Sequence, residues 1–346
     1  MKMTFLNWKA LTMMGALALA NMGCKEDEPV QPPAQQTVLQ IAVAGADFDV
    51  LEAAALKAGA GVTGVLGGTT QITVFAPTDA AFVAYLGAAN EAAAITAVNG
   101  LTSAQAADIL TYHVIAGSEI KAGAIAAGTT AVTTARSANN RAFVTKAGSN
   151  VTINNARVTT ADVDASNGVI HVIDAVLTPP LGNIVQVATS AANAPNFGIL
   201  AAALTKAGLI PTVQGDGPFT VFAPTDDAFL TLLRSSAFFN NNALTEAQVV
   251  DYITNTISAT STPLNLPTLT QVLLYHVVSG TAYSINLTNN QVLTTAKAAD
   301  PKTVTVGISG ATVTIDGSAS LPSTVTAANI SATNGVIHVI NGVLVP

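Results

Sequence analysis

The sequence predicts an α+β protein whose domain is written twice, and three observations carry that expectation. First, three segments recur in the same order. Thr-Val-Phe-Ala-Pro-Thr-Asp stands at 73–79 and 220–226, Tyr-His at 112–113 and 275–276, and Asn-Gly-Val-Ile-His-Val-Ile at 167–173 and 334–340. A repeat of this length fixes the domain organisation before any residue chemistry is considered. Second, apolar residues fall at helical spacing in the first part of each copy and in strand-like runs through its last third. The two are mixed without a regular strand-helix-strand alternation, which favours α+β over a doubly wound sheet. Third, half of the 346 residues are hydrophobic and only 10% are charged. That is enough apolar material for two sizeable cores and the opposite of a disordered composition.

The N-terminus reads as a targeting segment. Lys2 and Lys9 supply positive charge, and Ala10 to Ala20 form an apolar run of 11 residues, short of the about 20 that span a bilayer. The run ends at Met22-Gly23-Cys24, and Cys24 is the only cysteine in the chain. A lone cysteine directly after a signal core resembles the acylation site of a bacterial lipoprotein, with residues 1–23 as the signal peptide; Asn21 stands where that box usually carries Leu. Lys25-Glu26-Asp27-Glu28 resembles the surface-export tag of some Gram-negative lipoproteins. Pro29 to Gln36 then reads as an extended tether, so that residues 24–36 hold the domains off the membrane. The expectation is an outer-membrane lipoprotein, surface-exposed or periplasm-facing, joined to the membrane through lipid on Cys24. Without Lys2 and Lys9, 11 basic residues face 20 acidic ones, and the formal charge moves from −7 to −9. The basic residues are scattered, which argues against nucleic acid as a partner.

The first domain spans 37–180 and the second 181–346, with Pro179-Pro180 a stiff junction between them. Phe48, Leu51, Ala55 and Ala58 mark a helix that Gly59 stops, and Phe197, Leu200, Leu204 and Gly208 repeat it. Ile72 to Phe75 is a strand that ends at Pro77, which cannot donate a ladder hydrogen bond. Thr78 or Asp79 caps the next helix, through Phe82 and Leu86, with the carboxylate favoured at the positive end. Thr102 and Gln105 fit a capping box before a helix carrying Ala106, Ile109, Leu110 and His113 on one stripe; Leu269, Val272, Leu273 and His276 reproduce it. Strands are expected at 142–145, 151–153 and 169–176, and at 304–308, 311–315 and 336–345. The offset between copies is 147 at the first motif and 163 at the second, so copy two holds 16 extra residues. They fall in Phe238 to Pro267 and are expected to form a surface excursion rather than a core element.

Four histidines and a single cysteine leave little material for catalysis. His113 with His171, or His276 with His338, could meet within a copy, yet zinc needs further ligands. One histidine of each pair sits on an apolar helical stripe and the other in a nearly all-apolar strand. They read as core histidines satisfied by backbone carbonyls, and neither metal nor cofactor is expected. Asp162-Val-Asp164-Ala-Ser166-Asn-Gly168 has its glycine one position late for a calcium loop, and Ile173 occupies the place of the closing Glu. A turn into the following strand is the better reading. There is no Gly-x-Ser-x-Gly elbow and no phosphate-cradling Gly-x-x-x-x-Gly-Lys.

Taken in order, Phe-Ala-Pro-Thr-Asp after a strand, Tyr-His after a helix and Asn-Gly-Val-Ile-His-Val-Ile near the end resemble the fasciclin domain. The resemblance covers both copies and leaves only the first 36 residues outside. It implies a β-sandwich or wedge of about seven strands flanked by helices. It also implies non-catalytic adhesion or extracellular binding, to a partner protein, a matrix component or a glycan. In animal relatives the Tyr-His segment is associated with receptor binding. Carried over, the candidate contacts are Leu110, Tyr112, His113, Val114 and Ile115, and Leu273, Tyr275, His276, Val277 and Val278. The apolar stripe through each histidine points instead to the core, and both readings stay open at this level. Phe75, Pro77, Thr78, Asp79 and His171, with Phe222, Pro224, Thr225, Asp226 and His338, are the structural residues of the motifs. The family's Asp-Ile signature is altered to Asp162-Val163 and Asn329-Ile330, so a contact made through that aspartate would be missing from copy two. The alternatives are a small-molecule or glycan carrier or enzyme, with a polar pocket made by the 238–267 insertion, and a structural envelope spacer.

Overall fold

The computed structural model describes residues 35–190, 196–235, 238–261, 264–300, 302–318 and 321–346. The apolar run, Cys24 and nearly all of the tether lie outside the described residues. In copy one, α1 (Val38–Ala44), α2 (Asp49–Ala58) and α3 (Ala60–Leu66) precede β1 (Ile72–Pro77). Then come α4 (Asp79–Leu86), α5 (Glu91–Gly100) and α6 (Ser103–Tyr112), followed by β2 (Val114–Ala116) and β3 (Gly128–Thr133). The copy ends with β4 (Arg141–Ala147), β5 (Asn150–Ile153), β6 (Ala156–Ala165) and β7 (Gly168–Ile173). Copy two repeats the helices as α7 (Ile184–Ala188), α8 (Gly198–Lys206), α9 (Ile210–Gln214), α10 (Asp226–Arg234), α11 (Glu246–Asp251) and α12 (Leu266–Tyr275). Its strands are β8 (Phe219–Pro224), β9 (Val277–Ser279), β10 (Val292–Thr294), β11 (Thr303–Ser309), β12 (Thr312–Asp316), β13 (Ser323–Ala332) and β14 (Gly335–Ile340). Many helix starts are local: Thr37 with Gln40, Thr102 with Gln105, Asn183 with Gln186 and Thr245 with Gln248 all close capping boxes.

The strands of copy one form one seven-membered series, β2-β1-β7-β6-β5-β4-β3, and copy two repeats it as β9-β8-β14-β13-β12-β11-β10. The pairing is antiparallel except for β1 with β7 and β8 with β14, which run parallel. β1 is buried along its whole length, as a parallel strand covered on both faces must be. The Ala135 N–H donates to Val114 O at 2.7 Å and that of Ala296 to Val277 O at 2.6 Å. These bonds draw the far end of each series back to its beginning, and the sheet folds over into a wedge. Two cores follow in copy one. Val50, Leu51, Phe82, Leu110 and Ile170 lie between helices and sheet, and Phe75, Tyr112, Val144, Ile153 and Leu177 lie inside the fold of the sheet.

Three expectations need correction. β7 stops at Ile173 and β14 at Ile340, not at 176 and 345. Asp174 and Asn341 end them by accepting the N–H groups of Arg157 and Thr324 on the neighbouring strands, at 2.7 and 2.8 Å. The pattern misses β6 and β13, because register shifts between Val158 and Val163, and between Val325 and Ile330, break the alternation of faces. The insertion is not one excursion. The offset of corresponding helix caps is 147 for Thr78 and Thr225, 155 for Asn90 and Thr245, and 163 for Thr102 and Asn265. The extra length is thus two equal pieces on either side of α11, the counterpart of α5. Val249 and Ile253 between those pieces are each 1% exposed, so the middle of the insertion is core.

The copies are docked on one another. Phe143 of β4 packs with Tyr283 and with Val336 of β14 in a cluster of its own, each 1% exposed or less. Around it Arg141 donates to Asp216 O at 2.7 Å, Asn139 to Leu181 O at 3.0 Å, and the Thr152 hydroxyl and Asn286 amide meet at 3.3 Å.

Candidate functional site

The Tyr-His segments lie at the junction of α6 with β2 and of α12 with β9, inside the domains. Leu110, Tyr112, His113, Val114 and Ile115 are at most 6% exposed, and Leu273, Tyr275, His276, Val277 and Val278 at most 7%. His113 caps the end of α6. Its Nδ1 lies 2.8 Å from Ile109 O, and its Nε2 accepts the Leu177 N–H at 2.9 Å. His276 repeats this with Val272 O at 2.7 Å and Leu344 N–H at 2.9 Å. The carbonyl places the proton on Nδ1 and leaves Nε2 as the acceptor, so each ring is neutral and fully used. Burial pulls both imidazoles down to about 4, against which the carbonyl contact works only weakly. Each ring ties a helix end to the segment that follows the last strand. Tyr112 donates to Arg141 O at 2.9 Å and accepts from the buried Asn154 amide at 3.1 Å. Burial pushes its phenol up to about 12. Tyr275 donates to Thr303 O at 2.6 Å.

The second histidine of each copy works on a different neighbour. His171 donates through Nε2 to Ile120 O at 2.8 Å and accepts the Asp162 N–H on Nδ1 at 3.3 Å. Asp162 in turn accepts the Ala122 N–H at 2.8 Å. In copy two His338 reaches Ala282 O at 2.9 Å, and Asn329 accepts the Ser284 N–H at 2.8 Å. Burial lowers the His338 imidazole. Asp162 and Asn329 both stand at positive φ, 59° and 63°, a conformation these two residue types tolerate. The position asks for an acceptor oxygen and that backbone, which is why Asp and Asn interchange there without a change of role. Phe75 and Phe222 stack near the two rings, with centroids 5.3 and 5.7 Å apart.

Asp79 and Asp226 do something the sequence does not reveal. Thr78 and Thr225 cap α4 and α10, accepting from Ala81 and Ala228 at 3.3 and 3.2 Å. The aspartates reach sideways to other helices. Asp79 accepts from the Asp49 and Val50 N–H groups at 3.2 and 2.8 Å, and Asp226 from those of Gly198 and Ile199 at 2.9 and 2.7 Å. Each carboxylate satisfies two orphan donors at the positive end of α2 or α8. Asp49, Asp79 and Glu91 bring ligand oxygens within 4.8 Å of one another. Asp79 is already spent on backbone donors, and copy two has Gly198 where copy one has Asp49. The trio is therefore negative charge gathered at a helix N-terminus.

Asn167 and Asn334 of the last motif are buried hubs. Asn167 accepts from Val38 at 2.9 Å and donates to Leu66 O at 3.0 Å. Asn334 accepts from Ile184 at 2.9 Å and donates to Val213 O at 2.8 Å. The glycine after each is forced: a Cβ on Gly168 would stand 1.8 Å from Ile72 O, and one on Gly335 would stand 2.0 Å from Phe219 O.

Among the described residues, two open spaces bear on the expected insertion pocket. At the domain-two insertion a cavity of 60 Å³ is lined by apolar side chains including Phe229, Phe238, Ile253 and Leu264; it is small and lacks the polar character expected of an insertion pocket. A polar cleft of 340 Å³ opens between the copies instead, walled by Asn139, Asn140 and Arg141 on one side and by Gln214, Asp216 and Thr333 on the other. No linear motif marks it, because its walls come from non-corresponding parts of the two repeats.

A family model for the fasciclin domain matches residues 48–179 and again residues 195–346. The chain belongs to the fasciclin domain family. Protein sll1483 of Synechocystis sp. is 36% identical over 175 residues, covering 51% of this chain and 79% of that protein. Periostin of Homo sapiens is 29% identical over 198 residues, covering 57% of this chain and 20% of periostin. Transforming growth factor-beta-induced protein ig-h3 of Sus scrofa is 29% identical over 196 residues, with 57% and 24% covered. The chain thus spans a quarter or less of these two animal proteins. A solved FAS1 domain pair from the insect cell adhesion molecule fasciclin I aligns with 86% of this chain and 96% of its own length, at 19% identity and a TM-score of 0.38. In both fasciclin domains here, the motif residues are the ones that hold the fold closed.

Proposed function

We propose that this protein is a non-catalytic adhesion or ligand-binding lipoprotein in which two fasciclin domains are carried on a membrane tether. The reading joins a fasciclin pair covering most of the chain to a targeting segment that ends at the only cysteine, Cys24. Lipid on Cys24 anchors it in the outer membrane of a Gram-negative cell, with the domains facing outward. Its partners are an extracellular protein, a matrix component or a glycan. Two weak modules on one tether gain through effective concentration, which suits attachment. The observation that carries this reading is the inward commitment of the shared residues. All four histidines and both motif aspartates are engaged by backbone groups. What the two copies share is scaffold, and recognition falls to the surfaces on which they differ. The compact unit from Gln36 to Pro346, displayed on beads against matrix proteins and glycans, tests the binding half. Retention on at least one class is expected, and a clean negative across broad panels sinks it. Metabolic labelling with a fatty acid tests the anchor: label is expected on the full chain and absent from Cys24→Ala, and an unlabelled parent chain refutes it.

A further inference from the structure

The geometry points to the cleft between the two fasciclin domains as a binding site for a neutral saccharide of one or two rings. This rests on the ligand-binding reading above and names its ligand class. At 340 Å³ the cleft falls in the lower part of the range of small-molecule sites, roughly 300–1,000 Å³. Its walls are joined by contacts between the copies. The Phe143–Tyr283–Val336 cluster docks the domains, Arg141 donates across to Asp216 O at 2.7 Å, and the guanidinium lies 5.6 Å over the Phe143 ring.

The chemistry of the lining selects the class. The side chains of Asn140, Gln214, Asp216 and Thr333 take part in none of the internal hydrogen bonds of the described residues, although they share one cleft. An amide offers donors and an acceptor side by side, a hydroxyl offers both at one atom, and a carboxylate accepts. A wall of this kind matches a surface of hydroxyl groups, each itself donor and acceptor. One guanidinium and one carboxylate face the cleft, so it carries no net charge with which to select a phosphate, a sulfated glycan or a uronic acid. The scarcity of apolar side chains excludes an acyl chain.

The repeat supplies an internal control. The Tyr112 and Tyr275 hydroxyls donate to Arg141 O and Thr303 O, which makes 140–141 the counterpart of 302–303. Asn140-Arg141 therefore corresponds to Lys302-Thr303. Likewise the buried Asn167 and Asn334 amides donate to Leu66 O and Val213 O. Gln214-Gly215-Asp216 thus corresponds to Gly67-Gly68-Thr69. On both walls the fold is made equally well by other residues, so the amides and the carboxylate are not demanded by folding.

The test uses the full chain in detergent micelles, with maltose, cellobiose, lactose and chitobiose as neutral probes and di-galacturonate and a heparin disaccharide as acidic ones. Binding is read by saturation-transfer NMR and titration. At least one neutral disaccharide binds. The Asn140→Ala/Gln214→Ala double variant binds it about tenfold more weakly or not at all, with an unchanged melting temperature. The inference is overturned if no neutral probe binds, if only the acidic probes bind, or if the double variant binds as tightly as the parent. Attachment to immobilised matrix protein is measured in parallel. Attachment that persists without saccharide binding removes the cleft and leaves the adhesion reading; loss of both removes both.

Discussion

Acid should weaken these domains through two buried histidines. His113 and His276 are held neutral, with burial drawing each down to about 4 in the native state; in the unfolded chain a histidine titrates near 6.5. Between those values the unfolded state takes up a proton that the native state refuses. Stability therefore falls as pH drops, being complete above about 6.5 and spent near 4. At pH 5 the difference is about 0.9 proton per histidine, a slope of about 1.2 kcal/mol per pH unit at each site. From pH 6.5 to 5 each domain loses about 2 kcal/mol, which for a domain of this size lowers its melting temperature by about 4–8 °C. The cause is structural as well as dielectric. A second proton on the imidazole would turn Nε2 into a donor aimed at the N–H of Leu177 or Leu344, 2.9 Å away. Thermal melts followed by circular dichroism at pH 7, 6 and 5 measure the fall, and imidazole NMR of the native protein reads the two groups directly. His113→Phe should abolish the share of domain one while lowering its melting temperature at every pH. A melting temperature flat between pH 7 and 5, or native imidazoles titrating near 6.5, refutes the reasoning.

Asp226→Ala leaves the N–H groups of Gly198 and Ile199 without their partner and should cost domain two about 2 kcal/mol, read from the urea midpoint; Asp226→Asn, which keeps one oxygen, should cost less. Gly335→Ala puts a methyl 2.0 Å from Phe219 O and should leave domain two open, seen as rapid proteolysis of that half while domain one resists. Phe143→Ala empties the shared cluster with Tyr283 and Val336. It should split a single calorimetric transition into two, and an unsplit, unshifted peak would show that the docking carries no energy.

The parts of the fold legible in the sequence were those written locally. Capping boxes at Thr102 and Thr78's place at a helix start can be read from neighbouring residues, and so can the apolar stripe that put His113 and His276 in the core. The bonds that decide roles were not legible, because they join residues far apart in the chain. Asp79 looks like the cap of its own helix and serves another 29 residues earlier. The insertion looks like a loop because Asn, Thr, Ser and Pro surround α11, yet Val249 and Ile253 within it are core. The cleft was invisible for a further reason: its two walls are unlike segments of two like domains, so no repeat and no spacing brings them together on the page.

The parallel pairing of β1 with β7 also sets a timetable for synthesis. Ile72 waits for Gly168 and Phe219 for Gly335, partners about a hundred residues away, a separation that slows closure. Emerging from the ribosome, each copy has its helices before it has the strand that completes its central pairing. Until the last motif appears, a strand that the finished domain buries along its length stands with an open edge. The Asn-Gly-Val-Ile-His-Val-Ile segment is therefore the closing stitch of each copy, and a copy made only up to that point lacks the parallel partner of β1 or β8.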